Sequence, residues 1–105
     1  MSARIRVPKL AKKGEVVEIR ALLEHRNESG WRRDDQGQAF PRNIVTRFVV
    51  TYLGAEVVNA YLRRSISSNP YFAFYLRAEK SGEIVFRWED EGGDVFIEKA
   101  QIEVV

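Results

Sequence analysis

The residues best suited to chemistry are few: a single histidine, His25, no cysteine, and acidic side chains gathered at Asp34-Asp35 and at Glu89-Asp90-Glu91 with Asp94. One histidine with no cysteine cannot supply a usual zinc ligand set or, by itself, the usual triad arrangement. His25 falls where a strand gives way to a loop and is read as structural or solvent-exposed. Asp34-Asp35 with Gly37 resembles a cation-binding turn but lacks the ligand spacing of a calcium loop, so turn hydrogen bonds are expected there. The acids from Glu89 to Asp94 would hold a cation or raise one another's pKa if they converged; a solvated hairpin tip is the expectation. Ser65, Ser67 and Ser68 read as turn hydroxyls, and Gly92-Gly93 precedes no helix whose N-terminus would face a phosphate. The sequence therefore shows no catalytic residue, metal site or cofactor site. A small enzyme or metal-binding domain built on His25 and the acidic turn is the weak rival reading.

Any such groups would have to be positioned by strands, because the apolar residues alternate with period two and nowhere with the period of a helix. Arg4 to Val7 is a short edge strand ended by Pro8, Lys9 to Gly14 is a turn, and Glu15 to Glu24 places Val17, Ile19, Ala21 and Leu23 on one face. Residues 25–43 form a long polar loop with a hairpin tip around Asp35-Gln36-Gly37. Ile44 to Leu53 puts Ile44, Phe48, Val50 and Tyr52 on one face and Val45, Val49 and Leu53 on the other. After Gly54, a strand runs from Glu56 to Leu62. The aromatic strand follows Asn69-Pro70, and a tight hairpin at Ser81-Gly82 leads to a strand with Ile84, Phe86 and Trp88 inward. In the last strand, Val95 to Val104, Glu98 interrupts the apolar face and suggests a bulge. About seven short strands predict an all-β, immunoglobulin-like antiparallel sandwich with no disulfide, its core built on Phe48, Phe72, Phe74, Phe86, Trp88 and Ile102.

A length of 105 residues suits one domain over 1–105, and 45% hydrophobic content is enough for one core. The formal charge of only +2 gives no indication of nucleic-acid binding. Residues 1–48 carry 11 basic and 6 acidic side chains and residues 49–105 carry 6 and 9, a small imbalance that reads as ordinary solvated surface. No stretch approaches the ~18 apolar residues that would span a membrane, and the N-terminus has no signal-peptide core. An absence of cysteine is tolerated by any redox compartment.

The strongest functional signal is apolar surface in excess of one core. In the run Asn69-Pro70-Tyr71-Phe72-Ala73-Phe74-Tyr75-Leu76, the phenylalanines and Leu76 share one face, and Tyr71, Ala73 and Tyr75 share the other. Pro70 fixes the entry to the strand. If the first face fills the core, the tyrosines need other cover, and tyrosine favours interfaces because it joins apolar area to a polar tip. Val16, Leu22, Val45 and Val49 add to the excess, and Trp31 and Phe40 add aromatic surface in the long loop. A protein-binding face is therefore favoured over an enzyme pocket.

The runs AKKGEVVEIRALLEH, ESGWRRDDQGQAFPRNIVTRF, SSNPYFAF and SGEIVFRWEDEGG resemble the SoxZ family, the Z subunit of the bacterial Sox thiosulfate-oxidation system, over nearly the whole chain. The most specific matches are Glu28-Ser29-Gly30 with Arg32, Asp34, Gly37, Pro41-Arg42 and Phe48, and Asn69-Pro70-Tyr71-Phe72 with Phe74. The resemblance implies a non-catalytic immunoglobulin-like subunit of a carrier heterodimer. Its SoxY-type partner bears the sulfur intermediate on a cysteine, and the pair docks transiently on other Sox enzymes: a haem-containing loading enzyme, a sulfate-releasing hydrolase and a sulfane dehydrogenase. It also implies a periplasmic location reached by co-export with the Y subunit. Asn27 and Arg64 depart from the family pattern, where methionine and proline are expected, and neither is expected to touch the fold. The partner-binding residues anticipated are Tyr71, Ala73 and Tyr75 with Asn69 and Pro70 for the Y subunit, and Trp31, Arg33 and Arg42 for the enzymes. The alternative is a self-associating immunoglobulin-like module with no sulfur-pathway role, homodimeric in isolation.

Overall fold

The computed structural model describes residues 3–62 and 69–105. Arg64 and the serines at 65, 67 and 68 lie outside the described residues. Strands β1 (Ala3–Arg6), β3 (Val16–Leu23) and β6 (Tyr71–Arg77) form an antiparallel sheet in the order β1-β3-β6. Strands β2 (Leu10–Ala11), β4 (Val45–Tyr52), β5 (Ala55–Tyr61), β7 (Gly82–Asp90) and β8 (Val95–Val104) form the second sheet, ordered β2-β8-β7-β4-β5. The two sheets pack as a sandwich, as the alternation predicts. The described strands number eight rather than seven, because the expected turn at 9–14 contains β2, which pairs in parallel with β8 through Leu10↔Glu103 and Ala11↔Val104. Two residues are too few to show a period.

The core lies between the sheets. Val17, Ile19, Ala21 and Leu23 of β3 are buried against Phe48, Val50, Ile84, Phe86, Trp88 and Ile102 of the larger sheet. Phe72 reaches across from β6 and stacks on Phe48 with ring centroids 4.3 Å apart, and Trp88 lies 5.2 Å from Phe48 on its other flank. This aromatic stack ties the sheets where antibody domains use a disulfide. Among the described residues, the buried indole N–H of Trp88 has no acceptor.

Two details of the sequence reading are corrected. The bulges lie in β4, between Val45 and Arg47 and between Val50 and Thr51, and not at Glu98, where the β7–β8 register is unbroken. The first bulge inserts a residue, so Val45 and not Ile44 enters the core with Phe48. Second, Ser81-Gly82 is not a hairpin, because β6 and β7 belong to different sheets and the chain crosses between them there. A Cβ at Gly82 would lie 2.7 Å from Cδ2 of the exposed Leu53 side chain, which would have to swing aside. Val49 lies on the outer face and is buried there beside Arg87 and Asn59, as expected of a strand covered on both sides. The Tyr52 side chain joins the core as expected and also latches the crossing: its hydroxyl accepts the Glu79 and Lys80 N–H groups at 3.2 and 3.1 Å and donates to the Lys80 carbonyl.

Candidate partner-binding surface

Residues 25–43 are a braced hairpin arm rather than an unstructured loop. Isolated bridges join Glu28 to Asn43 and Arg33 to Ala39. Its tip is a turn in which the Asp34 carboxylate accepts the Gln36 and Gln38 N–H groups, both at 2.9 Å, as expected for Asp34. Arg32 is held by the Glu28 carboxylate and lies 3.7 Å over the Phe40 ring, and Arg33 donates to the Gly37 carbonyl. Trp31 stands out from this frame with 86% of its surface exposed.

The base of the arm is fastened by His25, which takes the structural role of the two expected for it. His25 is buried; its Nε2 donates to the Asp90 carboxylate at 3.0 Å and its Nδ1 accepts the Asn27 N–H at 2.9 Å. These partners fix the tautomer with the proton on Nε2. Phe96 meets the ring edge-on at 6.0 Å. Asp90 also accepts the Asp94 N–H at 3.0 Å and an Asn43 amide hydrogen at 3.3 Å. Burial pushes the Asp90 carboxyl up, but the hydrogen bonds from His25, Asp94 and Asn43 outweigh it and hold the group below its ordinary value. Asn27 belongs to the same fastening: it is buried at φ +51°, and its side-chain oxygen accepts the Val45 N–H at 2.9 Å. Its departure from the family pattern therefore does touch the fold, since asparagine tolerates this left-handed backbone better than most residues.

The acidic turn does not converge. Asp90 turns inward to His25, Glu91 takes Arg42 through two hydrogen bonds of 2.8 and 2.6 Å, and Glu89 faces Arg47 and Arg87. His25 and Asp90 do meet, but both ring nitrogens are committed to protein partners. Among the described residues, no three side chains of the metal-ligating types gather.

On the outer face of the three-stranded sheet, Tyr71 is 55% and Tyr75 72% exposed, with Ala73 exposed between them. Leu22 is half-buried beside Tyr71, and Val16 is exposed beside Arg77. The remaining outward positions hold Arg4, Arg6, Arg20 and Arg77 against Glu18 and Glu24. Asn69 is exposed at φ +54°; its side-chain oxygen accepts the His25 N–H at 3.0 Å and its own N–H donates to the His25 carbonyl at 2.6 Å. The arm base and the start of the tyrosine strand are thus one hydrogen-bonded unit. Pro70 is buried, with its carbonyl accepting the Leu23 N–H, so it aims the strand and offers no contact surface. Arg42 is likewise a strut of the arm base, engaged by Glu91, whereas Trp31 and Arg33 are presented outward. The His25–Asp90 pair is a structural fastening whose pairing the sequence does not show. Its members are 65 residues apart, and only the sandwich topology joins them.

The fold is shared with solved structures of low identity. A superoxide reductase (neelaredoxin) from Ignicoccus hospitalis superposes with TM-score 0.74 at 14% identity, covering 100% of this chain and 81% of that one. A putative superoxide reductase from Thermotoga maritima gives 0.74 at 14%, covering 98% and 85%. The sulfur carrier protein SoxY from Chlorobium limicola f thiosulfatophilum gives 0.68 at 15%, covering 98% and 78%. These likenesses show the sandwich alone. No curated protein sequence matches the chain. The family model of the sulphur oxidation protein SoxZ matches residues 5–101, so this chain belongs to the SoxZ family.

Proposed function

We propose that the chain is the non-catalytic subunit of a sulfur-carrier heterodimer: it binds a SoxY-type protein and presents it to the enzymes of sulfur-compound oxidation. The observation that carries the reading is the Tyr71, Ala73 and Tyr75 face, exposed on a rigid sheet in a chain of this family. Interface anchors are typically large aromatic residues on well-ordered elements. The likeness of the sandwich to a sulfur carrier protein SoxY adds support, since a carrier of the same architecture offers a surface of comparable size. The compartment proposed is the periplasm, reached together with the Y subunit.

Calorimetric titration of a SoxY-type protein from the same genome into the chain tests the reading. Wild-type protein gives a one-to-one complex, and Tyr71→Ala with Tyr75→Ala weakens it by about 2 to 4 kcal/mol. Unchanged affinity removes the tyrosines from the interface, and absence of a wild-type complex removes the carrier reading and leaves self-association in its place.

The second surface is the arm. Trp31, almost fully exposed on a braced hairpin with Arg33 beside it, suits transient docking to the pathway enzymes while the tyrosine face holds the carrier.

A further inference from the structure

Of the described strands, β1, β2, β5 and β6 lie at sheet edges. Proteins guard such edges with charge, proline, bulges or extreme shortness, since an open row of backbone groups recruits other strands. β1 carries Arg4 and Arg6 and ends before Pro8, β2 has two residues, and β5 faces a bulge and bears Glu56. β6 has none of these devices between Tyr71 and Leu76.

The register shows which backbone groups this edge offers. Leu23 N–H donates to the Pro70 carbonyl and Ala78 N–H to the Glu15 carbonyl, on the same register as the β3–β6 pairing. Antiparallel ladders bond at every second residue, so Phe72, Phe74 and Leu76 spend their backbone groups on β3. Tyr71, Ala73 and Tyr75 therefore turn theirs to the open side. The residues whose side chains are exposed are also those whose N–H and C=O groups await a strand. At the Tyr75–Arg77 end of this edge lies a groove of about 560 Å³, lined also by Tyr52, Leu53 and Val57, with room for a side chain at that end of an added strand.

We propose that β6 is a strand-addition site: the partner inserts an exposed edge strand alongside Tyr71–Arg77 and extends the three-stranded sheet. This rests on the carrier reading above. The occupant is an edge strand of the SoxY-type carrier, bordered by acidic side chains to complement the excess of arginine over glutamate on this face. A carrier built on a similar open sandwich has sheet edges of its own.

Amide hydrogen exchange, read residue by residue for the chain alone and in its complex with the SoxY-type protein, tests the proposal. The Tyr71, Ala73 and Tyr75 amides exchange at least about tenfold more slowly in the complex, while those of Phe72 and Phe74 are protected in both states. Ala73→Pro removes one open-side N–H without touching the β3 ladder, and is expected to lower affinity at least about tenfold with the sandwich intact by circular dichroism. A complex that forms with the three amides unprotected overturns strand addition and leaves the carrier reading standing. Failure of the wild-type chain to bind the SoxY-type protein overturns both. Protection that appears in the isolated chain as its concentration rises assigns the edge to a second copy instead. The exchange measurement uses unaltered protein, so it decides the matter even if Ala73→Pro fails to fold.

Discussion

Replacing Asp90 by alanine removes the acceptor on which the base of the arm depends. Three donors lose their partner: the His25 Nε2–H at 3.0 Å, an Asn43 amide hydrogen at 3.3 Å and the Asp94 N–H at 3.0 Å. The His25 ring is almost wholly enclosed, so its orphaned N–H costs about 1 to 3 kcal/mol. Asn43 and Asp94 are closer to solvent and recover water, losing roughly 0.5 kcal/mol each. The total, about 2 to 4 kcal/mol, corresponds to a fall in Tm of roughly 10 to 25 °C for a domain of this size. Asp90→Asn keeps the shape and one oxygen acceptor and falls between alanine and wild type. Denaturant titration at neutral pH reads both variants. The acid limb gives an independent sign: a carboxyl whose folded pKa is depressed stabilises fully above its unfolded value, near 4, and loses that contribution as pH falls through the lower folded value. Wild-type stability therefore drops below about pH 4 more steeply than that of Asp90→Asn. Alanine and wild type agreeing within about 0.5 kcal/mol would show that the pair fastens nothing.

Phe48→Ala breaks the stack with Phe72 that joins the sheets and costs about 3 to 5 kcal/mol by chemical denaturation; a loss below about 1 kcal/mol would mean that the stack contributes little. Trp31→Ala leaves stability within about 0.5 kcal/mol of wild type, since the indole is exposed, and leaves SoxY affinity unchanged while slowing thiosulfate oxidation in a reconstituted system. Full turnover with this variant would exclude Trp31 from enzyme docking.

Much of the architecture was legible from local pattern. In β3 and β7 one face is core and the other outer surface, so Val17, Ile19, Ala21 and Leu23, and Ile84, Phe86 and Trp88, declare their side by alternation alone. The tyrosine face was legible for the same reason, because β6 alternates cleanly between a core-facing side and an exposed one. Alternation failed where β4 carries an extra residue, which reversed Ile44 and Val45, and where a strand was only two residues long. The choice between a structural and an exposed His25 was out of reach because its partner comes from a strand end 65 residues away, and burial of a single polar side chain leaves no periodic mark. The same holds for Pro70 and Arg42: their types suit a surface contact, and only the meeting of the arm base with the β7–β8 turn and β3 commits them to scaffolding.

The elongated shape of the chain also governs how it tumbles. With extents of 58 × 20 × 19 Å and a radius of gyration of 16.1 Å, the chain is a short rod, where a compact chain of its length would measure about 13 Å. A rod drags more solvent than a sphere of equal mass, so it elutes early from a sizing column and passes for a larger species. Rotation about its long axis is faster than end-over-end rotation, which makes NMR relaxation depend on how each N–H bond is oriented. A lone chain of this shape therefore elutes ahead of a compact one of equal mass, and absolute mass from light scattering separates shape from association.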